Sequence, residues 1–265
     1  MKLTLIITTY NWPESLLLVL NSVENQALLP DEVIIADDGS TKKTYDLINE
    51  FNKKSKLNIL HSWQKDIGFR ASRSRNNAIL KATGDYIILI DGDTILHKSF
   101  VKDHIEKAES RFFVQGTRAL ISKKQTKKAL SKKLVNFSFL TFGLTNRKNC
   151  IHSKLLSKIF SNKKNNLRGI KSCNMAFYRK DCLNINGFNN EFEGWGREDS
   201  DFVVRLIHSG VNRKNIRFNA IQFHLWHNEN SRKSLKNNDE ILNQSINNGN
   251  YWCENGISSM KKNES

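Results

Sequence analysis

Proline is nearly absent from this chain of 265 residues: there are two, beside an unremarkable 13 glycines. That excludes a collagen-like repeat and a generally disordered chain. Cysteine is sparse as well. Cys150, Cys173, Cys182 and Cys253 form no Cys-x-x-Cys pair, which argues against a zinc ribbon or a thioredoxin-like redox motif. No secretory leader is recognisable, so structural disulfides are not expected. No apolar run approaches the roughly 20 residues needed to span a bilayer. The apolar residues 3–9 are only strand-length. The expected location is cytoplasmic, or peripheral on the inner face of the cell membrane.

Acidic residues are missing from one long interval. Between Glu109 and Asp181 there is none, and the same interval holds Lys123-Lys124, Lys127-Lys128, Lys132-Lys133 and Lys163-Lys164. The formal net charge is +16. Such an excess suits an anionic partner: nucleic acid, an acidic glycan or a membrane surface. A solvated lysine-rich insertion is the plain reading of the interval. A surface for anionic lipid headgroups or phosphorylated glycans is the functional one.

Hydrophobic patterning organises the rest. Residues 3–9 and 32–36 read as buried strands, and 57–60 and 86–90 continue the set. Helices fit from Pro13 through Leu16, Leu17, Leu20 and Val23, then over 44–51 and 71–82. Strands alternating with helices imply a doubly wound, mainly parallel α/β sheet, with its ligand beyond the carboxyl ends of the strands. Three strands end there on polar clusters: Thr8-Thr9-Tyr10, Asp37-Asp38 and Asp91-Gly92-Asp93. Over 123–171 the periodicity is weak, although 135–139 alternates, and a flexible or partly helical insertion is expected. Residues 173–178 read as a strand and 200–209 as a helix. Beyond Asn228 the chain is polar, with Leu235, Ile241, Leu242 and Ile246 as candidate helix anchors.

Several groups can carry chemistry. Asp91 and Asp93 flank one small residue at a strand end, where they can offer oxygens to a hard divalent cation and leave sites for a diphosphate. Asp38 can form an Asx turn, or accept the N3–H of a uracil or ribose hydroxyls, with Thr8 and Tyr10 as the facing wall. Arg70, Arg73 and Arg75 stand around a helix start, suited to a diphosphate or simply to a charged helix surface. Glu193-Gly194-Trp195-Gly196-Arg197-Glu198-Asp199-Ser200-Asp201 sets an indole between glycines, ahead of three acids. The acids suit a helix N-terminus. The Gly-Trp-Gly offers a flat face for a sugar ring, and a neighbouring carboxylate can deprotonate a sugar hydroxyl. His224 and His227 share a helix face but point apart on a strand; His224 is the stronger metal-ligand candidate.

In order and spacing, Ile6-Ile7-Thr8-Thr9-Tyr10-Asn11, Asp37-Asp38-Gly39-Ser40-Thr41, Arg75-Asn76 and Gly84-Asp85-Tyr86 leading into Asp91-Gly92-Asp93 resemble family-2 glycosyltransferases of the GT-A fold. Asn186-Gly187-Phe188 through Asp199 resembles the galactosyltransferase-type segment found in β-1,4-galactosyltransferases and bacterial chondroitin-type polymerases. The resemblance implies Thr8, Tyr10, Asp38, Arg75 and Asp91 at the nucleotide sugar. It implies Asp91, Asp93 and His224 on Mn²⁺ or Mg²⁺, Trp195 and Glu198 at the acceptor, and Asp199 as base. Arg197 departs from it, standing where animal galactosyltransferases have glycine. The implied organisation is a nucleotide-sugar half over 1–120, a basic insertion over 121–170, an acceptor-binding and catalytic half over 171–230, and a tail over 231–265.

The expected reaction is an inverting displacement on a nucleotide-diphosphate sugar, a UDP-sugar by preference. The expected acceptor is a glycan, lipid-linked where the enzyme sits on an anionic membrane, in bacterial lipopolysaccharide or capsule synthesis. Within the acidic cluster, Asp199→Asn is expected to lower kcat by roughly 10²–10⁴-fold and Asp201→Asn to do little. A nucleotidyltransferase would want a Gly-rich loop with a lysine near the first strand, and none is visible. A nucleic-acid-binding protein explains the lysines but not strand-end carboxylates, which repel a phosphate backbone. A non-catalytic glycan-binding domain would leave the metal-binding and base residues superfluous.

Overall fold

The computed structural model describes residues 1–261. The chain opens as an alternation: β1 (Leu3–Thr9), α1 (Pro13–Glu24), β2 (Glu32–Asp37), α2 (Lys42–Asn52), β3 (Ile59–Trp63), α3 (Ala71–Lys81) and β4 (Tyr86–Asp91). Next come β5 (Thr94–Leu96), α4 (Phe100–Lys107), β6 (Phe112–Gln115) and β7 (Arg118–Ile121). The basic interval holds α5 (Lys123–Lys132), β8 (Leu144–Thr145), a 3₁₀ turn at Arg147–Cys150, α6 (Lys154–Phe160) and β9 (Asn162–Lys163). The remainder is β10 (Asn174–Tyr178), α7 (Arg179–Asn184), α8 (Glu198–His208), β11 (Asn212–Asn215), β12 (Gln222–His224), α9 (Leu235–Asn248) and α10 (Ile257–Lys261).

The main sheet runs β3-β2-β1-β4-β10-β6-β11-β9. Its first four strands are parallel, as the doubly wound reading requires. β10 then enters antiparallel to both β4 and β6, and β11 lies parallel to β6. A second sheet, β5-β12-β7-β8, stands beside the carboxyl edge of β4.

The central strands are buried on both faces, which is why their sequences barely alternate. Leu5, Ile7, Val33, Ile35, Ile88 and Ile90 pack with α1 and α4 on one face. Ile6, Ile34, Ala36, Ile87 and Leu89 pack with α3 and α8 on the other. Each aliphatic side chain so buried contributes about 1.5–3 kcal/mol. Parallel pairing fixes the rim: Thr8 stands beside Asp91 and Thr9 beside Asp37.

Three expectations change. The third strand lies at Ile59–Trp63 rather than 57–60, because Leu57 is buried before the pairing with β2 begins. Residues 135–139 form no strand: Phe137 is buried, but Phe139 belongs to an outward turn. The interval 123–171 is more structured than expected. Ser122 and Ser153 cap α5 and α6 by accepting from Gln125 and Leu156 backbone N–H groups. Lys154 and Lys163 pair with Glu106 and Glu109 at 2.8 and 2.6 Å, tying the segment to α4 and its end.

Candidate active site

The turn after β4 is shaped by one small residue. A Cβ on Gly92 would sit 3.0 Å from Thr9 Oγ1 and 3.1 Å from Thr8 O. Gly92 N–H donates to Thr8 O at 2.7 Å, and Ser15 Oγ donates to Gly92 O at 2.6 Å. The turn is thereby locked, with Asp91 and Asp93 in different surroundings.

Asp93 faces two imidazoles. Its Oδ2 lies 3.4 Å from His224 Nε2 and 3.3 Å from His227 Nε2. Asp93 Oδ1 is buried without a partner. One atom from each of the three residues falls within 4.8 Å of the others. His224 is the last residue of β12, in register with Thr94. Because the chain leaves the strand there, His227 is free to fold back, its ring 5.1 Å from that of His224 and edge-on to Trp12. The strand alternation that would separate the two histidines therefore does not apply. Burial alone would raise the Asp93 carboxyl, but His224 and His227 outweigh it and hold it below the usual carboxylate range. The hydrogen bond to Asp93 pulls His227 up to about 9, whereas burial pushes His224 down. This donor set, one carboxylate and two imidazoles with an orphaned oxygen, fits a divalent cation. Asp91, also expected on the metal, lies outside this three-residue group though on the same strand end.

Asp91 turns instead toward Arg75, its Oδ1 3.8 Å from Nη2. Arg75 projects from α3 and is almost fully buried. Its Nε donates to Thr8 Oγ1 at 3.3 Å and its Nη1 to Glu198 Oε1 at 3.1 Å, with the guanidinium 5.4 Å from the Phe188 ring centroid. Burial, then Asp93, lifts Asp91 to about 6. Burial, then Glu198, pushes Asp199 up to about 7. Arg75 opposes both shifts, so one buried cation stands among Asp91, Glu198 and Asp199. Arg73, on the same helix, is only half-buried.

The loop before α8 uses left-handed backbone at Gly194, Gly196 and Arg197, with φ of 73°, 105° and 78°. Glycine takes such angles freely; arginine does not. Arg197 is held there by its Nε on Asp239 Oδ1 at 2.5 Å. Asn238 Nδ2 donates to Glu193 O and Gly196 O. The segment expected as a polar tail thus supplies α9, which staples this loop, although of its expected anchors Leu242 is buried and Ile246 is exposed. Trp195 is left 40 % exposed, with the Arg232 guanidinium 5.6 Å from its ring centroid.

Asp201 differs from what its position suggested. It is fully buried, accepts from Arg205 Nε at 2.9 Å and takes Ser245 Oγ at 2.6 Å. Such burial and pairing suit a part in holding the fold, so Asp201→Asn is expected to cost stability where the sequence alone suggested little effect. The α-helical spacing of Asp201 and Arg205, on the core face of α8, puts both inside.

At the other end of the rim, Asp38 is buried and already accepts from Gln64 Nε2 at 2.6 Å and Arg70 N–H at 2.8 Å. Each oxygen keeps a second lone pair. Thr8 is half-buried, while Tyr10 is exposed and donates its hydroxyl to Asp66 at 2.9 Å. Asp66 escaped sequence reasoning. The signal was a fourth polar strand end, Gln64-Lys65-Asp66, following β3. Gly39 shows how near that loop lies: with φ of 97°, a Cβ there would come within 2.5 Å of Asp66 Cα. Arg118, at the start of β7, was also missed. It lines a cavity of about 370 Å³ with Lys171, Cys173 and Gln222, and draws both Asp91 and Asp93 downward.

Residues 4–184 match glycosyl transferase family 2, and residues 156–228 match the N-terminal domain of galactosyltransferase. The chain is similar to a chondroitin synthase of Escherichia coli, 29% identical over 232 residues. It is also similar to a hyaluronan synthase of Pasteurella multocida, 32% identical over 228 residues. Each alignment covers 78% of this chain but only 32% and 23% of those proteins, so the chain spans a third or less of their length. Among solved structures, S. aureus TarS 1-349 in complex with UDP superposes with a TM-score of 0.64 at 19% identity, over 94% of this chain and 66% of that one. That likeness is one of fold.

Proposed function

The chain belongs to glycosyl transferase family 2, and on that premise we propose that it moves a sugar from a uridine-diphosphate donor to a hydroxyl of a glycan acceptor, with inversion at the anomeric carbon. The observation that carries this reading is the Asp93–His224–His227 group on the same rim as Arg75 and its three acids. Asp93, His224 and His227 would hold the divalent cation. When bound, the cation compensates charge on the departing diphosphate. Two imidazole nitrogens favour Mn²⁺ over Mg²⁺, which prefers an all-oxygen shell.

Asp199 takes the proton of the attacking hydroxyl onto its carboxylate. Burial raises its basicity toward the working pH, as a general base requires. Arg75 holds Glu198 in place beside it and draws the raised Asp91 and Asp199 carboxyls back down. Trp195 offers its exposed face to the acceptor ring, with Glu198 at the acceptor's edge. Asp91, freed of the metal group, faces the donor sugar. Thr8, Tyr10 and Asp38 form the uracil pocket, with Asp38 using its remaining lone pairs.

A role in bacterial lipopolysaccharide or capsule assembly is in keeping with the bacterial polysaccharide synthases it resembles. Peripheral attachment to an anionic membrane, near a lipid-linked acceptor, is supported by the acid-free lysine interval. Among the described residues no helix is long and apolar enough to cross a membrane. The test is a donor panel: purified protein, Mn²⁺ and a set of uridine and guanosine diphosphate sugars, scored by release of the nucleoside diphosphate. Turnover of guanosine diphosphate sugars alone would overturn the base assignment. Release of pyrophosphate from nucleoside triphosphates would replace the reading with a nucleotidyltransferase.

A further inference from the structure

The helix α6 is built inside out. Of its residues only Ser157 is buried, while Leu155 and Ile159, one turn apart, are 69 % and 62 % exposed. An amphipathic helix on a soluble surface does the reverse. The turn at 138–143 does the same with loop residues: Leu140 is 84 % and Phe142 87 % exposed.

That turn is not a loose strand of chain. Ser138 N–H donates to Thr141 Oγ1 at 2.9 Å, and Arg147 Nε and Nη2 donate to Phe139 O at 3.0 and 2.7 Å. The Arg147 guanidinium also lies 5.3 Å from the Phe139 ring centroid. A fixed turn presenting two bare apolar side chains bears an exposure cost with no return inside the fold.

The two features share one surface. Phe139, Arg147 and Arg217 line a single cavity of about 540 Å³. The Arg217 guanidinium is 5.6 Å from the Phe218 ring, which in turn is 5.6 Å from that of Phe160 at the end of α6. Around the apolar side chains stand exposed Arg147, Lys148 and Lys158, with Lys154 paired to Glu106, and the sequence carries no acid between Glu109 and Asp181. A second copy of this chain would bring the same cations against them, which like charge opposes. An apolar centre with a cationic fringe matches the boundary between acyl chains and anionic headgroups.

We propose that Leu140, Phe142, Leu155 and Ile159 insert shallowly into an anionic lipid bilayer, with the surrounding lysines and arginines on its headgroups. This deepens the peripheral attachment proposed above, from adhesion by charge alone to apolar insertion. Asn146 and Asn149 line both the 540 Å³ cavity and the one containing Arg118 and Lys171, so the docked face adjoins the site. An acceptor held in the bilayer would reach it along that wall.

The experiment uses Phe142→Cys with an environment-sensitive thiol label. The four native cysteines are buried, so the introduced thiol is the one labelled. Vesicles of phosphatidylcholine alone are compared with vesicles containing phosphatidylglycerol, at low and high salt, with brominated acyl chains as quencher. The label should shift blue and be quenched on the anionic vesicles, and a label at Lys53→Cys, just past the end of α2 and outside this face, should stay solvated. Leu140→Ser with Phe142→Ser should keep the melting temperature and lower vesicle partition about tenfold or more.

An unresponsive label, with partition lost at high salt and unchanged in the serine variant, would overturn insertion and leave charge attachment alone. Dissociation of a dimer by the serine variant, with no vesicle effect, would assign the face to a second copy and equally overturn it. Donor hydrolysis in solution, measured on the same variants, keeps either failure separate from failure of the glycosyltransferase reading.

Discussion

Asp199 and Asp201 lie two residues apart in the first turn of α8, and exchanging each for asparagine should produce opposite results. Asp201 is sealed in the core against Arg205, whose Nε and Nη2 lie 2.9 and 2.8 Å from the same carboxylate oxygen. Arg205 Nη1 donates to Ile185 O and Gly187 O, each at 2.8 Å, so the guanidinium cannot leave when its counter-charge is removed. Removing one partner of a buried pair strands the other charge, at a cost of about 3–5 kcal/mol. Asparagine keeps one hydrogen bond, so the lower end applies. For a domain of this size the melting temperature should fall by about 6–12 °C. Replacing Arg205 as well, by methionine, should recover only part, because the two carbonyls then lose their donor. Asp199→Asn should leave the melting temperature unchanged or raise it, since burial already disfavours its charge. Its kcat should fall by roughly 10²–10⁴-fold, the range for loss of a positioned base. Thermal denaturation and steady-state kinetics on both variants decide it. If Asp201→Asn melts within about 2 °C of the parent, or Asp199→Asn turns over normally, the division of labour argued here is wrong.

His227→Ala should damage divalent-cation dependence as severely as His224→Ala, because both imidazoles face one Asp93 oxygen; a Mn²⁺ titration of EDTA-stripped protein reads both, with Mn²⁺ expected to outperform Mg²⁺. The rate should fall as pH drops below about 7, since the Asp199 carboxyl is raised to about 7 and must be deprotonated to act; a kcat profile flat to pH 5 would exclude it as base. Uridine diphosphate should bind more tightly than guanosine diphosphate, and Asp38→Ala should weaken it while also loosening the loop that Arg70 N–H ties down, measured by calorimetry with Mn²⁺. Arg197→Gly should relieve left-handed strain of about 1–2 kcal/mol but lose the Asp239 tie, so the melting temperature should shift by only a few degrees.

Much of the candidate site is legible in the sequence. Buried parallel strands are near-continuous apolar runs, and a polar cluster that ends one must stand on the carboxyl rim. That is why Thr8, Asp38 and Asp91 could be placed together from residues 3–9, 32–36 and 86–90 alone. Gly-Trp-Gly ahead of three acids likewise announced a loop and a helix start. Asp66 was equally available in principle, since Gln64-Lys65-Asp66 follows β3 as the other clusters follow their strands.

The rest depended on where the chain turns once a strand is finished. Sequence by itself determined the alternation of β1 to β4 with their helices, because side-chain period and burial are local properties read in a short window. It also marked the stretch without acids and the absence of any Cys-x-x-Cys pair. Only the tertiary structure decided that His227 folds back to join His224 at Asp93, since a residue's direction beyond a strand end is set by what it packs on, here Trp12. It decided that Asp201 faces inward to Arg205 while Asp199 stays at the rim, because the helix phase is set by the core beneath it. It also decided that α6 wears its leucine and isoleucine outward: Ser122 and Ser153 caps, pairing to Glu106 and Glu109, and the Phe160–Phe218 contact anchor the insertion by its edges and leave that apolar face uncovered.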